Sequence, residues 1–214
     1  MSHGPGDDPT SGDQTRVPPP RSFVEQANVT EADVAALEDD WPECWRVAGD
    51  LLDWESPSDG VLDRGSTGTR WFPGGRLNAA VNCVDRHLDD RKTQAAIKWI
   101  GKRGERRTYT YLDLHREVNE FAAGLRSLGI GEGDVVTLYM PSIPELPIAM
   151  LACARIGAPH NVVFAGFSAE ALAERMTRAD SAYLVTCDGY YRRGNAIHQK
   201  NKADNARISV PHEV

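Results

Sequence analysis

The sequence predicts an α/β protein built on parallel βαβ units, and three observations lead there. Val135–Met140 is a short apolar run that ends against Pro141. Pro144 and Glu145 open a helical segment, Leu146–Ile156, rich in Ala, Leu and Met, which Gly157 and Pro159 stop. Asn161–Phe164 is a second apolar run, so strand, turn, helix and strand follow in the order of a parallel crossover unit. The stretch is nearly uncharged, as the inside of a larger α/β body requires. In open parallel sheets ligands meet the carboxyl ends of strands, which here are Met140–Ile143 and Ala165–Ser168.

Composition bounds the alternatives. A chain of 214 residues holds one medium domain, or a small domain with part of a larger one. A net charge of −7 argues against the basic face of a general nucleic-acid binder. Cys44, Cys83, Cys153 and Cys187 are widely spaced, without a CxxC pair or a His at metal-ligand spacing. Cys153, inside an apolar helix, reads as a small core residue. A reducing cytoplasm fits this usage. No apolar run approaches the roughly 20 residues of a membrane span, and the polar N-terminus lacks a signal-peptide core.

Taken in order, residues 1–22 are rich in Gly, Pro, Ser and Asp and bury too little apolar surface to offset their ordering entropy, so a disordered tail is expected. Thr30 with Asp33 has capping-box spacing for a helix to about Asp40. Trp41, Trp45 and Trp54 follow with Leu51 and Leu52, and buried packing is favoured over a ligand platform. After a polar connection, Gly74 and Gly75 supply a tight turn, and Ala79–Leu88 reads as a helix. Cys83, Asp85 and His87 invite a metal or catalytic reading. Residues two apart on a helix diverge, so a structural role is favoured, with Asp85, Arg86 and His87 bonding neighbouring segments.

Gln94–Ile100 and Arg107–Tyr111 are β-rich runs around Gly101-Lys102-Arg103-Gly104, a hairpin signal. The basic residues of 102–107 predict a solvated tip rather than an anion patch. Thr110 and Asp113 then cap a helix whose apolar positions are Leu114, Val118, Phe121, Leu125 and Leu128, with Gly129 as its stop. His115 is expected on its solvated face. Gly129–Asp134 is glycine-rich, but a helix precedes it and a strand follows, the reverse of a dinucleotide fingerprint. It reads as a cap and a turn.

Beyond the opening unit, Ser168 is a candidate N-cap for Ala169–Arg178, and Gly166 admits a close backbone approach. His160 carries a packing or surface role. Ser181–Thr186 is a third strand that runs into Asp188-Gly189-Tyr190-Tyr191-Arg192-Arg193-Gly194-Asn195. Arginine offers phosphate a rigid fork of donors, and tyrosine offers a face for stacking. From spacing alone a solvated loop is favoured and a phosphate or nucleotide contact stays open. Ile208–Val214 reads as the start of another strand.

Four motifs carry a family resemblance: WFPGGRLN at 71–78, NCVDRHL at 82–88, the block from Met140 to Leu172, and DGYYRRG at 188–194. In this order and spacing they resemble the AMP-forming acetyl-CoA synthetase family, within the adenylate-forming acyl-CoA synthetase superfamily, over about Val24–Asn205. The resemblance implies a small, mostly helical leading segment over residues 23–85. The first part of the large adenylating domain would then fill 86–214. It also implies an acetate–CoA ligase. Acetate and ATP with Mg²⁺ give acetyl-AMP and pyrophosphate, and the acyl group then passes to the thiol of CoA with release of AMP.

Carried over residue by residue, Arg192 would face the nucleotide phosphates of CoA. Arg193, Gly194 and Asn195 would line the same loop, and Gly166 would lie by the pantetheine path. The position of Asn195 usually holds Lys or Arg in the family, so one phosphate-facing cation is missing, in part replaced by Arg193. No catalytic or metal-binding residue falls in this stretch. The family's phosphate loop, acyl pocket, ribose-holding acid and C-terminal lysine domain would all lie beyond Val214. The expectation is thus a front portion of such an enzyme, inactive alone, whose partner is the remainder of the same protein rather than a nucleic acid or a membrane. An uncovered sheet edge and a missing second wall to the CoA channel would accompany that truncation. Two alternatives are a non-catalytic CoA- or nucleotide-binding module and part of a related short-chain, such as propionyl, ligase.

Overall fold

A computed structural model gives the fold and describes residues 17–66 and 68–214. Most of the expected tail, residues 1–16, lies outside the described residues. Arg21–Val24 form one helical turn, α1. The chain divides into two compact units, one reaching to Val47 and one beginning at Ala48.

In the first unit, α2 (Glu31–Asp39) starts from a complete capping box. The Thr30 hydroxyl accepts from the Asp33 N–H at 3.3 Å, and Asp33 Oδ2 accepts from the Thr30 N–H at 2.7 Å. No residue of α1 or α2 is buried. The expected burial of Trp41 and Trp45 is not met, and each stays 48% exposed. So short a segment offers little interior to receive two indoles.

The second unit holds everything that positions the candidate site. After α3 (Arg46–Gly49), the strands β1 (Leu62–Gly65) and β2 (Gly68–Trp71) pair antiparallel. Trp54 does pack: its indole N–H donates to the Gly49 carbonyl at 2.8 Å, and its ring lies 5.5 Å from that of Phe72. The helix expected over Ala79–Leu88 is broken. Asn78 caps α4 (Ala79–Cys83), Val84 leaves helical geometry at φ −128°, and a 3₁₀ turn over Asp85–His87 leads to α5 (Leu88–Arg91). Val84 is fully buried there, and the break turns Asp85 toward partners on two other helices, contacts a straight helix would forfeit.

β3 (Ala95–Ile100) and β4 (Arg106–Thr110) form the expected hairpin. α6 (Tyr111–Ser127) has its capping box and buries Leu114, Val118, Ala122 and Leu125. Leu128 instead caps the helix and is 72% exposed. Gly129 takes φ +85°, and the Ile130 N–H reaches back to the Leu125 carbonyl at 3.1 Å, a Schellman closure that only a residue tolerant of positive φ provides cheaply.

β5 (Val136–Tyr139), every residue of it buried, is the middle strand of a parallel sheet. Helix α7 (Glu145–Arg155) leads to β6 (His160–Val162) on one side, and α8 (Ala169–Arg178) leads to β7 (Tyr183–Thr186) on the other. Side chains of β5 alternate between two cores. Val136 and Leu138 join the buried faces of α6 and α7, while Tyr139 joins Leu172 and Met176 of α8. A sheet covered on both faces follows, the parallel α/β arrangement that the sequence predicts. The strand order β6-β5-β7 means the chain reverses direction across β5, which creates a switch point at that strand's carboxyl end.

β8 (Tyr190–Arg192) and β9 (Asn195–Ile197) pair as a hairpin, followed by α9 (Gln199–Ser209). The strand expected from Ile208 is therefore corrected to the end of a helix. Gln199, Ala203 and Ala206 recur at helical spacing and are its buried face, with Val210 buried just after it and Ile208 80% exposed. Among the described residues no helix is long and apolar enough to cross a membrane.

Candidate functional site

The turn after β6 builds one wall of a cavity at the switch point. Tyr139, at the end of β5, donates its hydroxyl to the Phe167 carbonyl at 2.7 Å and approaches the Ala165 carbonyl at 3.4 Å. Tyr190 on β8 donates to the same Ala165 carbonyl at 3.2 Å. Two phenols from two strands thus hold one turn. Above them Phe164 and Phe167 meet edge to face at 5.6 Å, with the Arg192 guanidinium 5.9 Å from the first ring and Arg175 4.3 Å from the second. Gly166 lies between. A Cβ there would stand 2.9 Å from Arg192 Nη1 and inside the Phe164 ring's contact distance, so the close approach needs glycine.

Arg192 itself is half-buried and pairs with Asn195 across the hairpin. Arg193 and Gly194 form the two-residue connection at φ +51° and +83°, the backbone of a type I′ turn. Arginine at positive φ is unfavourable, and such backbone strain is concentrated where the surroundings need it. The structure therefore brings Gly166 and Arg192 into contact and sets Arg193, Gly194 and Asn195 at the exposed tip of the same hairpin.

Another wall of this cavity is the β3–β4 hairpin. The Trp99 indole N–H donates to the Ser142 carbonyl at 2.8 Å, just beyond β5. Arg107 stacks 4.7 Å over the Trp99 ring and sends its fork to both oxygens of Glu145 at the start of α7, at 2.5 and 3.2 Å. Burial pushes the Glu145 carboxyl up, but the Arg107 bonds outweigh it and hold the group below its ordinary range. The tip is exposed, as expected, and Lys102 and Arg103 also line a cavity of about 530 Å³ together with Trp99, Ser142, Tyr191 and Arg192. Nothing in sequence spacing pairs residue 99 with 142 or 103 with 191; only the fold does.

Away from the cavity, Asp85 Oδ1 accepts from Arg155 Nη2 at 2.7 Å and from His115 Nδ1 at 2.8 Å. Asn119 Nδ2 completes the set, 3.0 Å from His115 Nε2, which suits a neutral ring donating from Nδ1 and accepting at Nε2. His115 is thus engaged, not solvated as expected. Arg86 donates to the Leu51 carbonyl at 2.8 Å and the His87 ring lies 4.8 Å from that of Tyr111, so the three residues do bond neighbouring segments. Among the described residues no cluster of three His, Cys, Asp or Glu is placed to hold a metal ion.

A doubly covered parallel sheet with a cation- and aromatic-lined cavity at its switch point has the architecture in which open α/β proteins take their ligands. The chain belongs to the AMP-binding enzyme family, which matches residues 84–213; the acetyl-coenzyme A synthetase N-terminus family matches residues 30–83. It is 48% identical over 168 residues to an acetyl-coenzyme A synthetase of Gemmatimonas aurantiaca, covering 78% of this chain and 26% of that protein. To a 3-hydroxypropionyl-coenzyme A synthetase of Metallosphaera sedula it is 49% identical over 170 residues, with 78% and 26% covered. Among solved structures, acetoacetyl-CoA synthetase from Streptomyces lividans superposes with a TM-score of 0.79 at 28% identity, over 88% of this chain and 30% of that one. The chain spans about a quarter to a third of the length of the curated relatives it matches.

Proposed function

We propose that this chain is the CoA-facing front of an AMP-forming acetate–CoA ligase, which joins acetate to CoA through acetyl-AMP at the expense of ATP. The observation that carries it is Arg192 held against Gly166 on the wall of a cavity at the carboxyl ends of β5 and β6. The residues fit the coenzyme's chemistry: guanidinium forks for phosphate and aromatic faces for an adenine or the pantetheine chain. Arg192 takes the nucleotide phosphates, Arg193, Gly194 and Asn195 border them, and Gly166 leaves room for pantetheine. CoA supplies the acyl-accepting thiol. Residues 23–85 act as the leading segment and 86–214 as the first part of the adenylating domain. The protein is placed in the cytoplasm, where acetate, ATP and Mg²⁺ are at hand.

Calorimetric titration of the chain with CoA tests this reading. Saturable binding that falls roughly tenfold or more in Arg192→Ala is expected, the effect of losing a charge-assisted phosphate contact. Binding equal in the two proteins overturns it. ATP–pyrophosphate exchange with acetate is expected to be absent for these 214 residues alone, because they contain no phosphate loop ending in Lys. A second reading, a ligase for a short hydroxy acid, is favoured by the 49% identity to the relative named 3-hydroxypropionyl-coenzyme A synthetase. Comparing acetate with 3-hydroxypropionate as substrate of a full-length ligase that carries these residues separates the two.

A further inference from the structure

We propose that Arg103, at the tip of the β3–β4 hairpin, is a second phosphate contact for CoA, made from the wall opposite Arg192. The inference rests on the CoA reading of Arg192. Lys102 and Arg103 line the same cavity as Arg192, although they come from a different hairpin. The Arg103 guanidinium lies 4.9 Å from the ring centroid of Tyr191, the residue next to Arg192, so the two hairpins meet at the cavity's edge.

Arg103 keeps hydrogen-bonding capacity for a ligand. Its Nε forms only a long, exposed ion pair with Glu105 Oε1 at 3.9 Å, and Glu105 Oε2 accepts from the Arg103 main-chain N–H at 3.0 Å. An exposed pair of that length is worth little, so a phosphate can compete for the guanidinium. Among the described residues the terminal nitrogens of Arg103 have no hydrogen-bonded acceptor. In a chain of net charge −7, four cations at 102, 103, 192 and 193 on two adjoining hairpins form a local positive field. Stacking on Tyr191 keeps the guanidinium plane ordered while leaving its edge, the face that forks onto phosphate, open.

Titration of the full chain with CoA decides the matter, using Arg103→Ala, Arg103→Lys and Arg192→Ala. Arg103→Ala is expected to bind about five- to tenfold more weakly with a shallower salt dependence, as loss of one exposed charge-assisted contact implies. Arg103→Lys should fall in between, since it keeps the charge and loses the fork. If Arg103→Ala binds as the parent does while Arg192→Ala is weakened, the Arg103 contact is overturned and the CoA reading stands. If the parent chain does not bind CoA, both fall. Unchanged urea midpoints for the Arg103 variants tie the affinity losses to the contact itself.

Discussion

Tyr139 donates its hydroxyl to the main-chain carbonyl of Phe167 at 2.7 Å, which fastens the turn bearing Gly166 to the central strand of the sheet. Tyr139 is fully buried, so its ring fills the second core while its oxygen serves the cavity wall. Tyr139→Phe keeps the ring and deletes the donor. We expect a loss of about 1–2 kcal/mol in urea unfolding from the orphaned carbonyl, with weaker CoA binding as the turn loosens. Loss of stability with CoA affinity intact would separate the turn from the site.

Gly166→Ala probes the same wall from its other side. The added methyl would stand 2.9 Å from Arg192 Nη1 and against the Phe164 ring. Both are free ends of side chains, and Phe164 is 60% exposed, so the fold should yield at a cost of less than about 1 kcal/mol. Arg192, however, must swing out of position. CoA affinity should drop several-fold while the thermal midpoint barely moves, which calorimetry and a melting curve together would check.

Asp85 couples stability to acid. Burial pushes its carboxyl up, but hydrogen bonds from Arg155 and His115 more than reverse this and hold it below its ordinary value of 3.8. A depressed folded value stabilises the fold above the unfolded value, and that contribution disappears as pH falls through the folded one. Asp85→Asn should therefore cost roughly 1–3 kcal/mol at pH 7, since Arg155 and His115 lose an ionic acceptor, and less at pH 3, below the unfolded value. Urea midpoints at the two pH values measure the difference. An equal deficit at both would mean that the charge of Asp85 does not matter.

What the sequence made legible follows from range. Thr30 with Asp33 and Thr110 with Asp113 encode helix starts within four residues, and both capping boxes form. The β5-α7-β6 unit announced itself by apolar runs and the Gly157 stop, and the cavity lies at the strand ends that pattern marks. Helix α9 was missed because Gln199–Ser209 is mostly polar, and its buried face is two alanines and a glutamine. His115 was misjudged because its partner, Asp85, sits on another element thirty residues back. The β3–β4 wall was illegible for the same reason: Trp99, Arg103 and Arg107 act on Ser142, Tyr191 and Glu145, contacts with no local signature.

The strand order β6-β5-β7 also sets a sequence of events. The β3–β4 and β8–β9 hairpins close over a few residues and can assemble in microseconds. Strand β5 gains one neighbour only after a helical crossover and the other only after two, pairings that form slowly because long loops must close first. The parts that carry the cations are thus the early ones, and the floor on which they converge is late. In refolding of the whole chain, two basic fingers can therefore form before the palm, which is complete only when β7 has docked.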